Sequence, residues 1–81
     1  MSERLTIDFT PAEGAVIRIV GLIERRGYRV RGLTMTEQGA GASMIIDVEP
    51  RDAGRRLPVV AQHVGKLIDV HNVQFQAAEA V

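Results

Sequence analysis

The chain has no cysteine, few aromatic residues and no excess charge of either sign. Without cysteine, neither a disulfide framework nor a thiolate metal site is available. Aromatics make up 4% of the 81 residues, as two phenylalanines and one tyrosine. Modules that read single-stranded RNA on a sheet stack bases on exposed rings, and that platform is missing. Ten basic residues balance ten acidic ones, so the formal net charge is zero. A dedicated nucleic-acid or membrane-surface binder carries a basic excess, so the balance argues against both and is compatible with self-association. No apolar run approaches the roughly 20 residues of a membrane span. The opening Met1-Ser2-Glu3-Arg4 lacks the apolar centre of a signal peptide, and a cytoplasmic location is expected.

What is present suffices for one small domain. Apolar residues are 46% of the chain, enough for a single core, with residues 1–81 as one unit and the core over about 4–77. Leu5, Ile7 and Phe9 alternate with Thr6, Asp8 and Thr10, which predicts a strand over about 4–10 that ends at Pro11. Val16, Ile19, Val20 and Ile23 form one helical stripe within about 13–26. Gly27 stands where a helix stops, after Arg25 and Arg26 in the last turn. Gly21 inside this helix is expected to permit close approach of a neighbouring backbone.

The second strand, from about Tyr28 to Glu37, breaks its own alternation. Tyr28 and Val30 share one parity, Leu33 and Met35 the other, and a bulge near Gly32 would reconcile them. Gln38 to Ala42 reads as a flexible turn. In the third strand, about Ala42 to Glu49, Met44, Ile46 and Val48 share a face and Ile45 points away from it. Leu57, Val60, Ala61, Val64 and Leu67 make a second amphipathic helix over about 55–67, with Pro58 tolerated in its first turn. Val73, Phe75 and Ala77 alternate in a last strand over about 70–77, and the tail Glu79 to Val81 should fray. The order β-α-β-β-α-β with single-striped helices predicts an α+β, ferredoxin-like fold: a four-stranded antiparallel sheet with both helices on one face. The expected sheet order is 3-1-2-4 or its ferredoxin equivalent, with the first and third strands central. Such a sheet leaves two edges and an open face, so a homodimer through sheet edges or helices is expected.

Chemistry is hard to find in these residues. His63 and His71 lie eight residues apart with no metal-ligand spacing, and no metal is expected. Asp8, Asp47, Asp52 and Asp69 are scattered, Ser43 has no histidine in its own segment and Ser2 is terminal. Nucleophile, base and oxyanion donors are unfilled, so no catalytic residues are expected. Arg25, Arg26, Arg29 and Arg31 form one basic cluster, read as a solvated surface, a contact for an acidic partner protein, or an RNA contact whose stacking candidates are Tyr28 and Phe75. Gly14 opens the first helix. It is either a steric glycine of a tight turn or part of a helix N-terminus that seats a small carboxylate such as an amino acid.

The run Gly14-Ala-Val-Ile-Arg-Ile-Val-Gly-Leu-Ile-Glu-Arg-Arg-Gly-Tyr28, then Leu33-Thr-Met-Thr36, then Gly65-Lys-Leu-Ile-Asp-Val70 and Val73, resembles an ACT domain. More narrowly it is similar to the small regulatory subunit of acetolactate synthase in its short, single-domain form. The Arg26-Gly27-Tyr28 turn and the Lys66-Leu67-Ile68-Asp69-Val70 segment carry that likeness. The resemblance implies a non-catalytic chain that binds and activates the large catalytic subunit in branched-chain amino-acid synthesis. It places no cofactor in this chain and expects thiamine diphosphate, Mg²⁺ and FAD on the catalytic subunit. It implies an effector site for a branched-chain amino acid at Pro11, Glu13, Gly14, Ala15 and Val16. The contact with the catalytic subunit is expected at Arg26, Gly27, Tyr28, Arg29 and Arg31. Valine-binding members carry Asn or Asp where this chain has Pro11, which supplies neither a side-chain acceptor nor a backbone N–H, and this argues against valine feedback. The competing readings are a free-standing amino-acid-sensing ACT module that regulates another enzyme, and an RNA-binding ferredoxin-like module.

Overall fold

A computed structural model describes residues 3–76, so Ala77 and the tail Glu79 to Val81 lie outside the described residues. The elements are β1 (Glu3–Phe9), α1 (Ala15–Arg25), β2 (Tyr28–Gln38), β3 (Gly41–Pro50), α2 (Leu57–Gly65) and β4 (Val70–Gln76). All strand pairs are antiparallel, and the sheet order is β2-β3-β1-β4. The first and third strands are central, as expected, and the alternative order 3-1-2-4 is not formed. This is the ferredoxin-like arrangement predicted from the patterning.

The core lies between the sheet and the two helices. Leu5, Ile7 and Phe9 from β1, Met44, Ile46 and Val48 from β3, Ile19 and Ile23 from α1, and Leu57, Val60 and Val64 from α2 are all buried. Val16 and Val20 are half-buried flanks of the α1 stripe. On the opposite face β1 and β3 place Thr6 beside Ile45 and Asp8 beside Ser43, and Arg4 Nε lies 2.9 Å from Asp47 Oδ1. Ile45, 40% exposed, is the apolar residue at the middle of that polar face.

The parity conflict in β2 is resolved by a bulge. Val30 pairs with Val48 and Gly32 with Asp47, so Arg31 is the extra residue. Before the bulge Tyr28 and Val30 face the helices; after it Leu33 opposes Ile46 and Met35 opposes Met44 on the same face. A second irregularity falls between Asp8 and Phe9 opposite β4, where Phe9 pairs with Val70, and it turns Val70 into the core. The β2–β3 hairpin closes through Gly39 and Ala40, with Gly39 at φ 59°, as a two-residue type II′ loop requires.

Both helices are shorter than their periodicity suggests. Gly14 caps α1 in the left-handed region, φ 79°, so the helix cannot begin at residue 13. Arg56 is extended, φ −122° and ψ 121°, which delays α2 to Leu57. At its other end the Lys66 and Leu67 amides donate to His63 and Val64, a tightened i−3 turn that closes the helix early. Gly27 ends α1 with φ 90°, and its amide donates to the Glu24 carbonyl at 3.1 Å. Gly21 does not meet a neighbouring backbone. A Cβ there would find only the Arg25 guanidinium, at 3.6 Å, so the expected close approach is absent.

Candidate functional site

The five residues of the expected effector site fall within 11–16, at the β1–α1 junction. Pro11 is half-buried, Glu13 is exposed, and Ala15 is packed into the core. The turn is tightened by the Ala12 amide on Thr10 O at 2.7 Å and the Ala15 amide on Ala12 O at 3.0 Å. Its glycine notch is already filled. Arg18, one turn into α1, reaches back over Gly14, where a Cβ would sit 2.9 Å from the guanidinium. The same guanidinium donates to the Glu13 carbonyl at 3.3 Å and forms an ion pair with Asp69. Asp69 is the acid of the Lys66–Val70 segment, and its carbonyl accepts from the Thr10 amide at 2.8 Å. Thr10 Oγ1 also lies 2.6 Å from His71 Nε2. The loop is therefore laced to the α2–β4 junction by groups of this chain. No side-chain acceptor for an ammonium comes from Pro11, and the space beside Gly14 holds a guanidinium. The charged groups beside Gly14 are the Arg18 guanidinium and the Asp69 carboxylate paired with it.

Sequence reasoning located this loop but not the two residues that occupy it. Arg18 follows Gly14 by four positions, the spacing that returns a long side chain to the helix N-terminus. That signal was available. Its pairing with Asp69, 51 positions away, was not.

The expected contact cluster divides by burial. Arg26, Arg29 and Arg31 are exposed, whereas Gly27 and Tyr28 are buried. Tyr28 has no accessible surface, so it supports the surface from beneath instead of touching a partner. Arg31 pairs with Glu49 at 3.4 Å. A Cβ on Gly27 would collide with Arg55, whose side chain lies across that glycine. Arg55 Nε is held by Asp52 Oδ1 at 3.1 Å. Tyr28 Oη is buried without a hydrogen-bond partner among the described residues. Burial raises its pKa, the negative charge of Glu3 adds to the rise, and Arg55 opposes it.

Tyr28 and Phe75, the stacking candidates, share the helix face of the sheet with Val30 and Val73. Neither ring reaches the open face, so RNA recognition by stacking there has no residue to perform it. Among the described residues no group of histidine, aspartate or glutamate side chains is placed to hold a metal ion. His63 and His71 serve separate neighbourhoods, the α2 surface and the β4 edge. No described helix is long and apolar enough to cross a membrane. Depressions formed by the described residues bear on the site. One, of about 370 Å³, runs between α2 and β4 past Ala61, Gly65, Val73 and Phe75. Another, of about 190 Å³, lies among Arg26, Arg55, Arg56 and His63.

A family model described as an ACT domain matches residues 11–73. The chain belongs to the ACT domain family. As an ACT domain it is a regulatory module of the amino-acid-sensing class, not a catalytic one. Solved structures agree on the fold. The ACT domain of GTP pyrophosphokinase from Chlorobium tepidum is 13% identical with a TM-score of 0.75, covering 93% of this chain and 96% of that one. An ACT domain protein from Streptococcus pneumoniae is 18% identical with a TM-score of 0.76, covering 95% and 89%. A formyltetrahydrofolate deformylase from Pseudomonas putida KT2440 contains the same fold within a larger chain, at 8% identity and TM-score 0.80, covering 96% of this chain and 29% of that one. No match is found among the curated proteins. At these identities the neighbours share architecture across differing hosts, and the ACT domain's own residues must carry any finer assignment.

Proposed function

We propose that this ACT domain is the small regulatory subunit of acetolactate synthase, a cytoplasmic chain that binds and activates the catalytic subunit without valine feedback. The observation that carries the reading is the filled glycine notch. Arg18 and Asp69 occupy the position from which an effector would be held, and Pro11 contributes no polar anchor. A module so arranged regulates through its surfaces. The Arg26-Gly27-Tyr28 and Lys66–Val70 segments support the narrower identity. The first is the α1 stop that places Arg26 and Arg29 outside, and the second supplies Asp69 to the notch. Thiamine diphosphate, Mg²⁺ and FAD reside on the catalytic subunit in this reading. A homodimer through the β4 edges would leave β2, with Arg29 and Arg31, at each outer edge of the joined sheet and open to the catalytic subunit. Activation then requires that the catalytic subunit's competent conformation bind this surface more tightly than the resting one.

Reconstitution tests it. Adding the chain to an acetolactate synthase catalytic subunit is expected to raise acetolactate formation, and valine is expected to leave that rate unchanged. Charge reversal at Arg29 and Arg31 together is expected to weaken activation about tenfold in the concentration required, as for charges at an interface rim. No rise in rate would remove the reading. Tight binding of valine, leucine or isoleucine by the isolated chain, without effect on the catalytic subunit, would favour an ACT sensor of another enzyme.

A further inference from the structure

The geometry points to a second binding site, for a phosphate or diphosphate group, in the arginine-lined depression between the end of α1 and α2. The helix spacing makes its wall. Arg56, Val59, Val60 and His63 recur at intervals of three, one and three, so they form a single stripe of α2. Arg26, the C-cap of α1, closes the side opposite that stripe. Val59 and Val60 make the apolar part of the lining, and the volume of about 190 Å³ suits a small anion better than a peptide.

Charge in the depression is one-sided. Three guanidiniums and an imidazole line it, and the acid nearest in the ion-pair network is Asp52, on Arg55. Arg26 and Arg56 have no carboxylate partner among the described residues. Arg55 is fixed before any ligand arrives. Its Nε and Cζ lie across Gly27, where a Cβ would collide with them, and Asp52 Oδ1 lies 3.1 Å from the same Nε. A held guanidinium loses less entropy on binding an oxyanion than a free one, and its fork matches two oxygens at once. Helix α2 adds to the field. Its first turn holds no acidic residue, and no side chain caps its start, so the positive end of its dipole is uncompensated beside the arginines. Three guanidiniums in a small concavity, two of them without a carboxylate partner among the described residues, exceed what a monocarboxylate such as an amino acid needs and fit the charge of a phosphate dianion or a diphosphate.

The site shares Arg26 with the proposed activation surface but is built on Arg55 and Arg56, from the segment before α2, and its test uses the ACT chain alone. Amide chemical shifts followed during titration with inorganic pyrophosphate are expected to move and saturate by about 1 mM, with the largest changes at Arg26, residues 54–57 and His63. Arg56→Gln is expected to weaken binding about tenfold, whereas Arg29→Gln, at an exposed position outside the lining, should leave it within about twofold. Inorganic phosphate is expected to bind the same residues more weakly, and acetate at equal ionic strength to move none of them. Unsaturable shifts, equal losses from Arg56→Gln and Arg29→Gln, or binding of an acidic peptide where pyrophosphate fails would each overturn the assignment. A folded Arg56→Gln spectrum excludes collapse as the cause of lost binding.

Discussion

At the residue scale, the turn Arg26-Gly27-Tyr28 joins stability to surface chemistry. Gly27 sits at φ 90° with Arg55 across its face. Gly27→Ala must take a left-handed conformation, at about 1–2 kcal/mol, and also displace the arginine. A loss on the order of 2–3 kcal/mol follows, and thermal denaturation should show it as a midpoint lowered by about 10 °C or more. Tyr28 has the opposite sign. Its hydroxyl is buried with no partner among the described residues, and a polar group so placed costs about 1–3 kcal/mol. Tyr28→Phe is expected to raise the melting midpoint by about 4–8 °C, the shift for roughly 1 kcal/mol in a domain of this size. Burial raises the tyrosine pKa in the fold, so the unfolded chain ionises first, near pH 10. The contribution is present in full below that pH and lost as pH rises from it through the folded value. Melting curves from about pH 8 to 11 should therefore fall more steeply for the parent than for Tyr28→Phe. These residues also mark how far the site was legible. Gly14 and Gly27 stand out in the sequence because only glycine fits such turns. Arg18 over Gly14 was within reach of the helical spacing, but Arg55 over Gly27, 28 positions away, and the Arg18–Asp69 pair, 51 positions apart, were not, because such targets depend on packing that one sequence does not display.

At the element scale, β2 tests the logic of alternation. The helix-facing set Tyr28, Val30, Leu33 and Met35 is consistent only because Arg31 and Gly32 together oppose Asp47. This was readable as a parity conflict, since side chains alternate with period two and a burial pattern cannot change face without an extra residue. Deleting Arg31 removes the extra residue and leaves every core pairing in phase, so that variant is expected to fold. Deleting Thr34 instead moves Met35 to the polar face and should unfold or severely destabilise the chain. Circular dichroism with thermal melting separates the two outcomes, and equal loss in both would contradict the bulge. The strand order was legible in part. The crossover rules put β1 and β3 at the centre, but the burial pattern alone, shared by β1, β3 and β4, does not say which central strand each edge strand joins. Helix ends were overread for a local reason. Gly14 and the extended Arg56 stop the helices before the apolar period runs out. Gly21 is a residue on which the structure reverses the expectation. With nothing nearer than the Arg25 guanidinium at 3.6 Å, Gly21→Ala gains about 1 kcal/mol of helix propensity, measurable as a higher denaturant midpoint at unchanged m-value.

At the scale of the whole molecule, the two sheet edges are unequally protected, and that decides how the proposed homodimer would form. β2 carries the bulge, Arg29, Arg31 and Glu37 along its length, all devices that discourage edge pairing. β4, from Val70 to Gln76, has no proline and no lysine, arginine, aspartate or glutamate. Phe75 is 48% exposed beside the groove against α2. Antiparallel pairing of β4 with a second copy about Gln74 sets Phe75 opposite Val73 on the helix face. On the open face it sets Gln76 opposite Asn72, and Gln74 opposite its own counterpart. Apolar side chains meet apolar ones and amides meet amides, in the alternation by which β1 already pairs β4. Gln74→Lys would place two like charges directly across the dimer axis, which opposes pairing. Sedimentation equilibrium is therefore expected to show a dimer for the parent chain and for Thr34→Lys on β2, and a monomer for Gln74→Lys. A Gln74→Lys dimer, or dissociation by Thr34→Lys alone, would move the interface away from β4 to the other edge or to the helices.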